Sequence, residues 1–131
     1  MTQKRKAKLE KPLTEVELEL MNVIWELNSC TVKDVQKGVQ QIRDLAYTSV
    51  ATMMKILEQK GVLKSKKDDR VHTYEPIVSR EDYETASLKH LSDNVFRGDP
   101  SSMVMRLISE NKLSNEDLQN IKMLLDQRIG K

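Results

Sequence analysis

The stretch AYTSVATMMKILEQKGVL, residues 46–63, carries a polar face of an unusual kind. If the stretch forms a helix, Thr48, Thr52, Lys55 and Gln59 stand almost opposite its apolar side chains, at about 100° per residue. Their hydroxyl, amine and amide groups donate and accept hydrogen bonds, and none of them is a carboxylate that would repel a polyanion. Such a face suits contacts with phosphates and with the edges of bases. An ordinary solvated face is the alternative, and the neighbouring elements decide between the two.

Four apolar residues occupy the opposite side of this helix, which is predicted to run from Tyr47 to Lys60. They stand at i, i+3, i+4 and i+7 and are predicted to face a core: Val50, Met53, Met54 and Leu57. Gly61 follows, and glycine readily adopts the left-handed conformation that ends helices.

Two further helices are predicted before this one, each beginning with a capping box. Thr14 and Glu17 have the spacing in which each side chain satisfies a backbone N–H of the other residue, and so do Thr31 and Asp34. The second helix is expected to end before Arg43. The apolar stripes are Val16, Leu20, Val23, Ile24 and Leu27 in the first helix, and Val32, Val35, Val39 and Ile42 in the second.

After Gly61 the period of the pattern changes to about two residues, which is typical of strands. The segment VLKSKKDDRVHTYEPI predicts a strand, a charged turn KDDR and a second strand. A lone hairpin is marginally stable, so it must pack on the helices. The fold is therefore predicted to be mainly α, with a winged helix-turn-helix domain over residues 12–78: three helices and a β-hairpin wing.

Residues 79–131 are predicted to be a helical dimerisation region of three short amphipathic helices. Ser79 and Ser114 are their recognisable N-caps, and Asp117 completes a capping box with Ser114. So small a unit cannot bury its apolar residues alone, and a second copy of the chain is the simplest partner. The interface residues would be Leu88, Leu91, Val95, Met103, Val104, Leu107, Ile108, Leu118, Ile121 and Leu125.

Composition and charge exclude several classes of protein. The net charge is only +2, so composition alone does not indicate a nucleic-acid-binding protein, although residues 1–11 are predicted to be a flexible basic arm. No apolar stretch approaches the ~20 residues of a membrane helix, and no signal peptide is visible, so a cytoplasmic protein without a membrane partner is expected. The single cysteine, Cys30, excludes a disulfide within the chain and is predicted to be a buried structural thiol.

Catalysis needs a constellation of reactive groups that the sequence does not offer. Besides Cys30 it has two histidines, His72 and His90, and neither a Gly-rich phosphate loop nor a cluster of metal ligands. No enzyme, no cofactor and no metal site are predicted. The residues also allow two functions without catalysis: a winged-helix module that binds proteins without sequence-specific DNA binding, and a direct ligand sensor whose methionines line a pocket.

These segments together resemble the penicillinase repressors, the BlaI/MecI family, with the copper-responsive CopY repressors as relatives. The resemblance spans about residues 12–131 and is carried by LTEVELELMNVIWEL, AYTSVATMMKILEQKGVL, KKDDRVHTYEPIVSREDY and SSMVMRLISENKLSNEDLQNIKMLL. It implies a homodimeric repressor whose winged helix binds a palindromic operator in double-stranded DNA and whose C-terminal helices exchange between subunits.

The helix 47–60 and the wing 64–73 are then expected to contact DNA. The candidate DNA-binding residues are Tyr47, Thr48, Ser49, Thr52, Lys55, Gln59, Lys64, Lys66, Lys67, Arg70 and His72. Because Asp68 and Asp69 also lie in the wing, a turn that is merely soluble is the alternative for that part.

Two departures from the family pattern concern regulation. Relatives controlled by a β-lactam-sensing protease are cut at an Asn-Phe bond, where this sequence has Arg106-Leu107. The resemblance implies a regulatory protease as a candidate partner, but this departure argues against cleavage at Arg106-Leu107 and against a link to antibiotics. Copper-sensing relatives carry Cys-x-Cys motifs near the C-terminus, and no cysteine follows Cys30 here, which excludes copper or zinc sensing by that route.

Overall fold

The computed structural model describes residues 12–130, so the predicted basic arm lies outside the described residues. The predicted fold class is confirmed, with three helices, a hairpin and then three more helices. The elements are α1 (Glu15–Leu27), α2 (Val32–Val39), α3 (Tyr47–Gln59), β1 (Leu63–Asp68), β2 (Val71–Pro76), α4 (Arg80–Asn94), α5 (Pro100–Ser109) and α6 (Asn115–Ile129). The chain divides into two compact units, one ending at Leu88 and the other beginning at Lys89.

The capping boxes that the sequence predicts begin α1 and α2. The Glu17 N–H donates to Thr14 Oγ1 (3.2 Å), and the Thr14 N–H donates to Glu17 Oε1 (2.9 Å). Thr31 and Asp34 repeat the pattern at 3.1 and 2.9 Å. Each box satisfies backbone N–H groups that have no partner inside the helix, so both helix starts are fixed by local sequence.

The core of the first unit forms where α1, α2, α3 and the hairpin meet. Its fully buried side chains include Leu20, Met21, Ile24, Val35, Val39, Val50, Met54, Leu57 and Val62. Most of them belong to the predicted stripes, but Met21 is not among the residues that the sequence predicts for the core.

Two predicted stripe residues are wrong as core positions. Ile42 is 62% exposed, because α2 ends at Val39 and the chain then leaves the helical path. Leu27 is 46% exposed at the last position of α1. Met53 is only half-buried, although it packs against the core.

The hairpin is an antiparallel pair in which Leu63 lies opposite Pro76 and Asp68 opposite Val71. Gly61 precedes it with φ +82°, the left-handed conformation predicted for the end of α3. A separate bridge ties β2 to the segment between α1 and α2: the N–H of Cys30 donates to the carbonyl of Tyr74 (3.0 Å), and the Tyr74 N–H donates to the carbonyl of Cys30 (2.7 Å). The wing is thus attached to the helices by backbone hydrogen bonds as well as by side-chain packing.

The start of α4 belongs to the first unit. The backbone N–H of Leu13 donates to the Tyr83 hydroxyl (3.0 Å), and Trp25 Nε1–H donates to the carbonyl of Val78 (2.9 Å). The Trp25 and Tyr83 rings lie 5.8 Å apart between centroids, and the Arg80 guanidinium lies 5.1 Å from the Trp25 centroid. These contacts fix the first turn of α4, so the first unit extends beyond the sequence-based boundary at residue 78.

The second unit holds the end of α4, α5 and α6. Its predicted box is present, since the Asp117 N–H donates to Ser114 Oγ (3.0 Å) and the Ser114 N–H donates to Asp117 Oδ2 (3.1 Å). Neither α5 nor α6 has a buried residue among those described. None of the helices within residues 12–130 is both long enough and apolar enough to span a membrane.

Candidate nucleic-acid interface

One side of α3 is buried and the other is open, as the sequence predicts. Val50, Met54 and Leu57 are fully buried. The predicted contact residues on α3 are all exposed: Tyr47, at 52%, Thr48, Ser49, Thr52, Lys55 and Gln59. The turn before the helix is held by Gln36, whose Nε2–H donates to the carbonyl of Leu45 (3.1 Å). The apolar side therefore sets the orientation of α3 and leaves the polar side accessible.

An open groove of about 760 Å³ lies between the start of α2, α3 and the wing. Five of the predicted DNA-binding residues line it: Tyr47, Thr52, Lys55, Arg70 and His72. The other lining residues are Thr31, Val32, Lys33, Ala51, Val71 and Tyr74. The structure thus brings the polar face of α3 and the tip of the wing into one site. The predicted residues outside the lining are Thr48, Ser49, Gln59, Lys64, Lys66 and Lys67.

The strand register explains why the wing cations separate. Residues directly opposite each other in an antiparallel pair point to the same side of the sheet. Lys67 is opposite His72, on the side that also carries the buried Leu63 and Tyr74. Lys64 lies on the other side with Glu75, at 3.9 Å between Nζ and Oε1. Lys66 shares that second side, so the two faces of the wing present different cations.

Aromatic packing holds His72 at the groove. Its ring stacks on Tyr74, with centroids 4.9 Å apart and planes 22° from parallel. Burial raises the pKa of the Tyr74 phenol above its ordinary value, and interactions with Glu58 and Tyr47 raise it further, so this side chain stays protonated at neutral pH. The stack therefore holds the exposed His72 ring against a buried aromatic side chain.

A hydrogen bond joins α3 directly to the wing. Ser65 Oγ–H donates to Glu58 Oε2 at 2.7 Å, and the contact is partly buried. The bond fixes the first half of β1 against the last turn of α3 and occupies a carboxylate oxygen. It therefore directs the Glu58 carboxylate toward β1.

The cations that line the groove differ from the neighbouring cations of the first unit in having no salt-bridge partner among the described residues. Lys60 Nζ lies 2.9 Å from Glu17 Oε1, and Arg43 Nε lies 2.8 Å from Glu19 Oε1. In contrast, Lys33, Lys55 and Arg70 form no salt bridge with any described residue. Among the described residues that line the groove, none is an aspartate or glutamate. The residues that line the groove therefore carry a net positive charge, although the whole chain is nearly neutral.

Sequence reasoning misses the contribution of α2 to this site. The spacing identifies Thr31 only as an N-cap, and nothing in the pattern singles out Lys33. Their place in the groove depends on how α2 packs against α3 and on the bridge from Cys30 to the wing, which are contacts between distant parts of the chain. The sequence does contain one signal that could have identified Lys33: it is a lysine in the first turn of the helix that precedes the predicted recognition helix.

The described residues include one buried thiol, Cys30, and no cluster of possible metal ligands. Within residues 12–130, no three His, Cys, Asp or Glu side chains come together as a possible metal site. Burial, with a smaller contribution from Asp34, raises the pKa of the Cys30 thiol to about 11. The thiol therefore stays protonated at neutral pH, and the thiolate that nucleophilic attack or metal binding needs is scarce.

Comparisons with known proteins agree with this architecture along most of the chain. The family model of the penicillinase repressors matches residues 13–127. The methicillin resistance regulatory protein MecI of Mammaliicoccus sciuri is 23% identical over 116 residues, which cover 88% of this chain and 94% of that protein. The penicillinase repressor of Bacillus licheniformis is 27% identical over 115 residues, which cover 88% of this chain and 90% of that protein.

One solved structure is similar in fold alone. It is the complex structure of hsRosR-S4, with a TM-score of 0.53 and 15% identity over 82% of this chain and 96% of that chain. The match of the family model covers nearly the whole described chain, including both compact units. The chain belongs to the penicillinase repressor family, a family of DNA-binding transcriptional repressors.

Proposed function

We propose that this chain is a homodimeric repressor that binds a palindromic operator through α3 and the wing, residues 64–73. The observation that carries the proposal is the groove, where Lys55 of α3 and Arg70 of the wing meet without a salt-bridge partner among the described residues. A positively charged groove beside an exposed helix face is suited to bind a DNA duplex, because the DNA backbone carries one negative charge per ~1.7 Å of helix axis. The relatives named above are themselves regulatory or repressor proteins, which supports the same function.

The division of labour between α3 and the wing follows from their side chains. In the proposed complex α3 enters the major groove, where Thr52 and Gln59 can hydrogen bond to base edges and Lys55 to a base or a phosphate. Thr48 and Ser49, at the start of the helix, are exposed for similar contacts. The wing cations would lie against the phosphate backbone, which contributes affinity but little sequence information.

The dimer is proposed because apolar side chains remain exposed in the single chain, in the second unit and at Leu88 just before it. The exposed ones include Leu88, Leu91, Val95, Val104, Leu107, Ile108 and Leu125, whereas Met103, Leu118 and Ile121 are half-buried. A second copy related by a two-fold axis would cover them and present two α3 helices to half-sites about one helical turn apart. Occupancy of such a site would block transcription, and any signal that weakens the dimer would release the DNA.

Selection of bound duplexes from a random pool tests this function. The intact protein should enrich a sequence with dyad symmetry, and its affinity for that sequence should fall steeply with salt. A protein that enriches no dyad-related site contradicts the proposal. Failure to bind any duplex at low salt would instead favour a module that binds only other proteins.

Two shape-preserving substitutions test the role of α3 on the selected duplex. Thr52→Val removes a hydroxyl and Lys55→Met removes a charge, both on the exposed face. Because a base contact contributes about 1–3 kcal/mol of discrimination, each variant should lose roughly tenfold or more in affinity. Lys37→Met is the control, since Lys37 is exposed on α2 outside the groove. Equal affinities of the three variants would exclude α3 as the recognition helix.

A further inference from the structure

We infer that Lys33, at the start of α2, is a DNA-contacting residue. It would bind a backbone phosphate of the duplex at the edge of the protein groove between α2, α3 and the wing. The inference rests on the proposed function and extends it to an element that neither the sequence patterns nor the family match assigns to DNA. Lys33 is exposed and lines the same groove as Lys55 and Arg70. Three separate elements therefore each contribute one cation to one site.

The backbone that carries Lys33 is held firmly, although its side chain is exposed. Thr31 caps α2, Val32 and Val35 are buried on either side of Lys33, and Cys30 is bridged to β2. Within residues 12–130 no carboxylate forms a salt bridge with Lys33. Because the backbone at Lys33 is already fixed, only its side chain has to be ordered when a phosphate approaches, and no backbone rearrangement is needed.

The neighbouring acid does not cancel this charge at the groove. Asp34 follows Lys33 in the chain, but its Oδ2 accepts the Thr31 N–H at 2.9 Å and its side chain does not line the groove. The carboxylate is thus directed to the helix start. Lys33 remains the cation that α2 contributes to the described lining of the groove.

The chemistry points to a phosphate and not to a base edge. Lys33 lies on a different helix from the one proposed to enter the major groove, and the phosphate rows flank that groove. A lysine ammonium is a compact charge with three donors and needs no particular plane in its partner, which suits a phosphate oxygen. The contact would therefore add affinity and salt dependence equally for different DNA sequences.

The test compares Lys33→Met with Lys37→Met in the full chain. Both substitutions remove one lysine charge from an exposed position of α2, but only Lys33 lines the groove. Affinity for the selected operator and for a scrambled duplex is measured by fluorescence anisotropy over a series of salt concentrations. K33M should weaken binding to both duplexes by a similar factor, about three- to tenfold at low salt, and should reduce the log–log salt slope by about 0.9 for each phosphate that the protein no longer neutralises. K37M should leave both quantities unchanged.

The outcomes separate this inference from the proposed function. If the wild type binds the operator and K33M matches K37M in affinity and slope, the inference is wrong while the proposed function stands. Loss of operator binding alone, with scrambled DNA unaffected, would assign Lys33 to base reading and overturn the phosphate contact. A wild type that binds neither duplex overturns the proposed function and this inference with it. Lys33→Arg should retain the wild-type salt slope, which a role in folding alone would not require.

Discussion

Gly38 lies where α2 comes close to α1. A Cβ built at Gly38 would lie 2.6 Å from Cγ1 of Val23, closer than side chains pack. Val23 packs partly buried against the core, and its branched side chain has few alternative rotamers. Gly38→Ala gains about 1 kcal/mol of helix propensity, but overpacking costs about 1–3 kcal/mol. We therefore expect the free energy of unfolding to fall by about 1 kcal/mol, measured by urea denaturation.

The contact with Val23 can be tested separately from any other effect of the added methyl group. In a Val23→Ala background the close Cγ1 atom is absent, so G38A should be neutral or stabilising there through helix propensity alone. A double-mutant cycle reports the difference as a coupling energy. Equal effects of G38A in both backgrounds would mean that Val23 is not what excludes a side chain at position 38.

Glu17 connects two helices of the first unit. Besides completing the capping box of α1, its two carboxylate oxygens each accept from Lys60 Nζ, which follows the last residue of α3, at 2.9 Å. Burial raises the pKa of Glu17, but the hydrogen bonds from Lys60 and Thr14 together with the Lys60 charge outweigh it, so the net pKa is below the ordinary 4.5. The pair thus fixes the C-terminal end of α3 against α1.

Stability should therefore depend on pH through Glu17. Because its pKa is lower in the folded than in the unfolded chain, its contribution is fully present above the unfolded value of 4.5 and is lost as the pH falls through the lower folded value. Glu17→Gln keeps a side chain able to cap the helix but does not titrate. Urea denaturation from about pH 6 to about pH 3 should show a stability difference between wild type and E17Q that shrinks toward acid. A constant difference over this range would contradict the coupling.

A buried hydrogen bond joins the start of α4 to the segment before α1, and its contribution to stability can be tested. Tyr83→Phe removes the hydroxyl that accepts the N–H of Leu13, and both residues are buried. A buried donor without a partner costs about 1–3 kcal/mol, so the free energy of unfolding should fall by that amount in urea denaturation. Tyr47→Phe, which removes a hydroxyl from a side chain that is 52% exposed, is the matched control and should leave stability nearly unchanged. Identical stabilities would show that the hydroxyl of Tyr83 does not hold the two segments together.

The elements that could be predicted from sequence are those specified by near neighbours. The capping boxes involve residues three apart, and the change of period after Gly61 marks the hairpin within one short stretch. The apolar and polar sides of α3 follow from a single helical period, which is why that period places Val50 and Thr52 on the correct sides. The local sequence thus contains enough information for the winged-helix fold and for the exposed face of α3.

The features that could not be predicted depend on contacts between distant residues. Met21 is fully buried although it lies outside the predicted stripe of α1, a helix that packs against both α2 and β2. Trp25 contacts Val78 and Tyr83, which lie far along the chain. The place of Lys33 in the groove likewise requires the packed arrangement of α2, α3 and the wing. Ile42 continues the apolar spacing of α2, but the helix ends three residues earlier, and spacing alone does not reveal that end.

At the scale of the whole molecule, the two compact units differ in how completely each buries its apolar side chains. The first has a continuous core with many fully buried residues. Helices α5 and α6 of the second have no buried residue among those described, while Val104, Leu107 and Leu125 are 47–51% exposed. Exposure of so many apolar side chains is costly in water, which favours a partner for this unit.

Leu125→Glu tests whether that partner is a second copy of the chain. Leu125 is 51% exposed on α6, so a charge there is tolerated in a monomer but would be buried without a partner in the proposed interface. We expect L125E to sediment as a monomer at concentrations where the wild type is a dimer, and to bind the operator at least about tenfold more weakly because each half-site is then read alone. Gln127→Glu adds the same charge at an exposed polar position of the same helix and should remain dimeric. A wild type that sediments as a monomer, or an L125E variant that remains a dimer, would contradict the proposed interface.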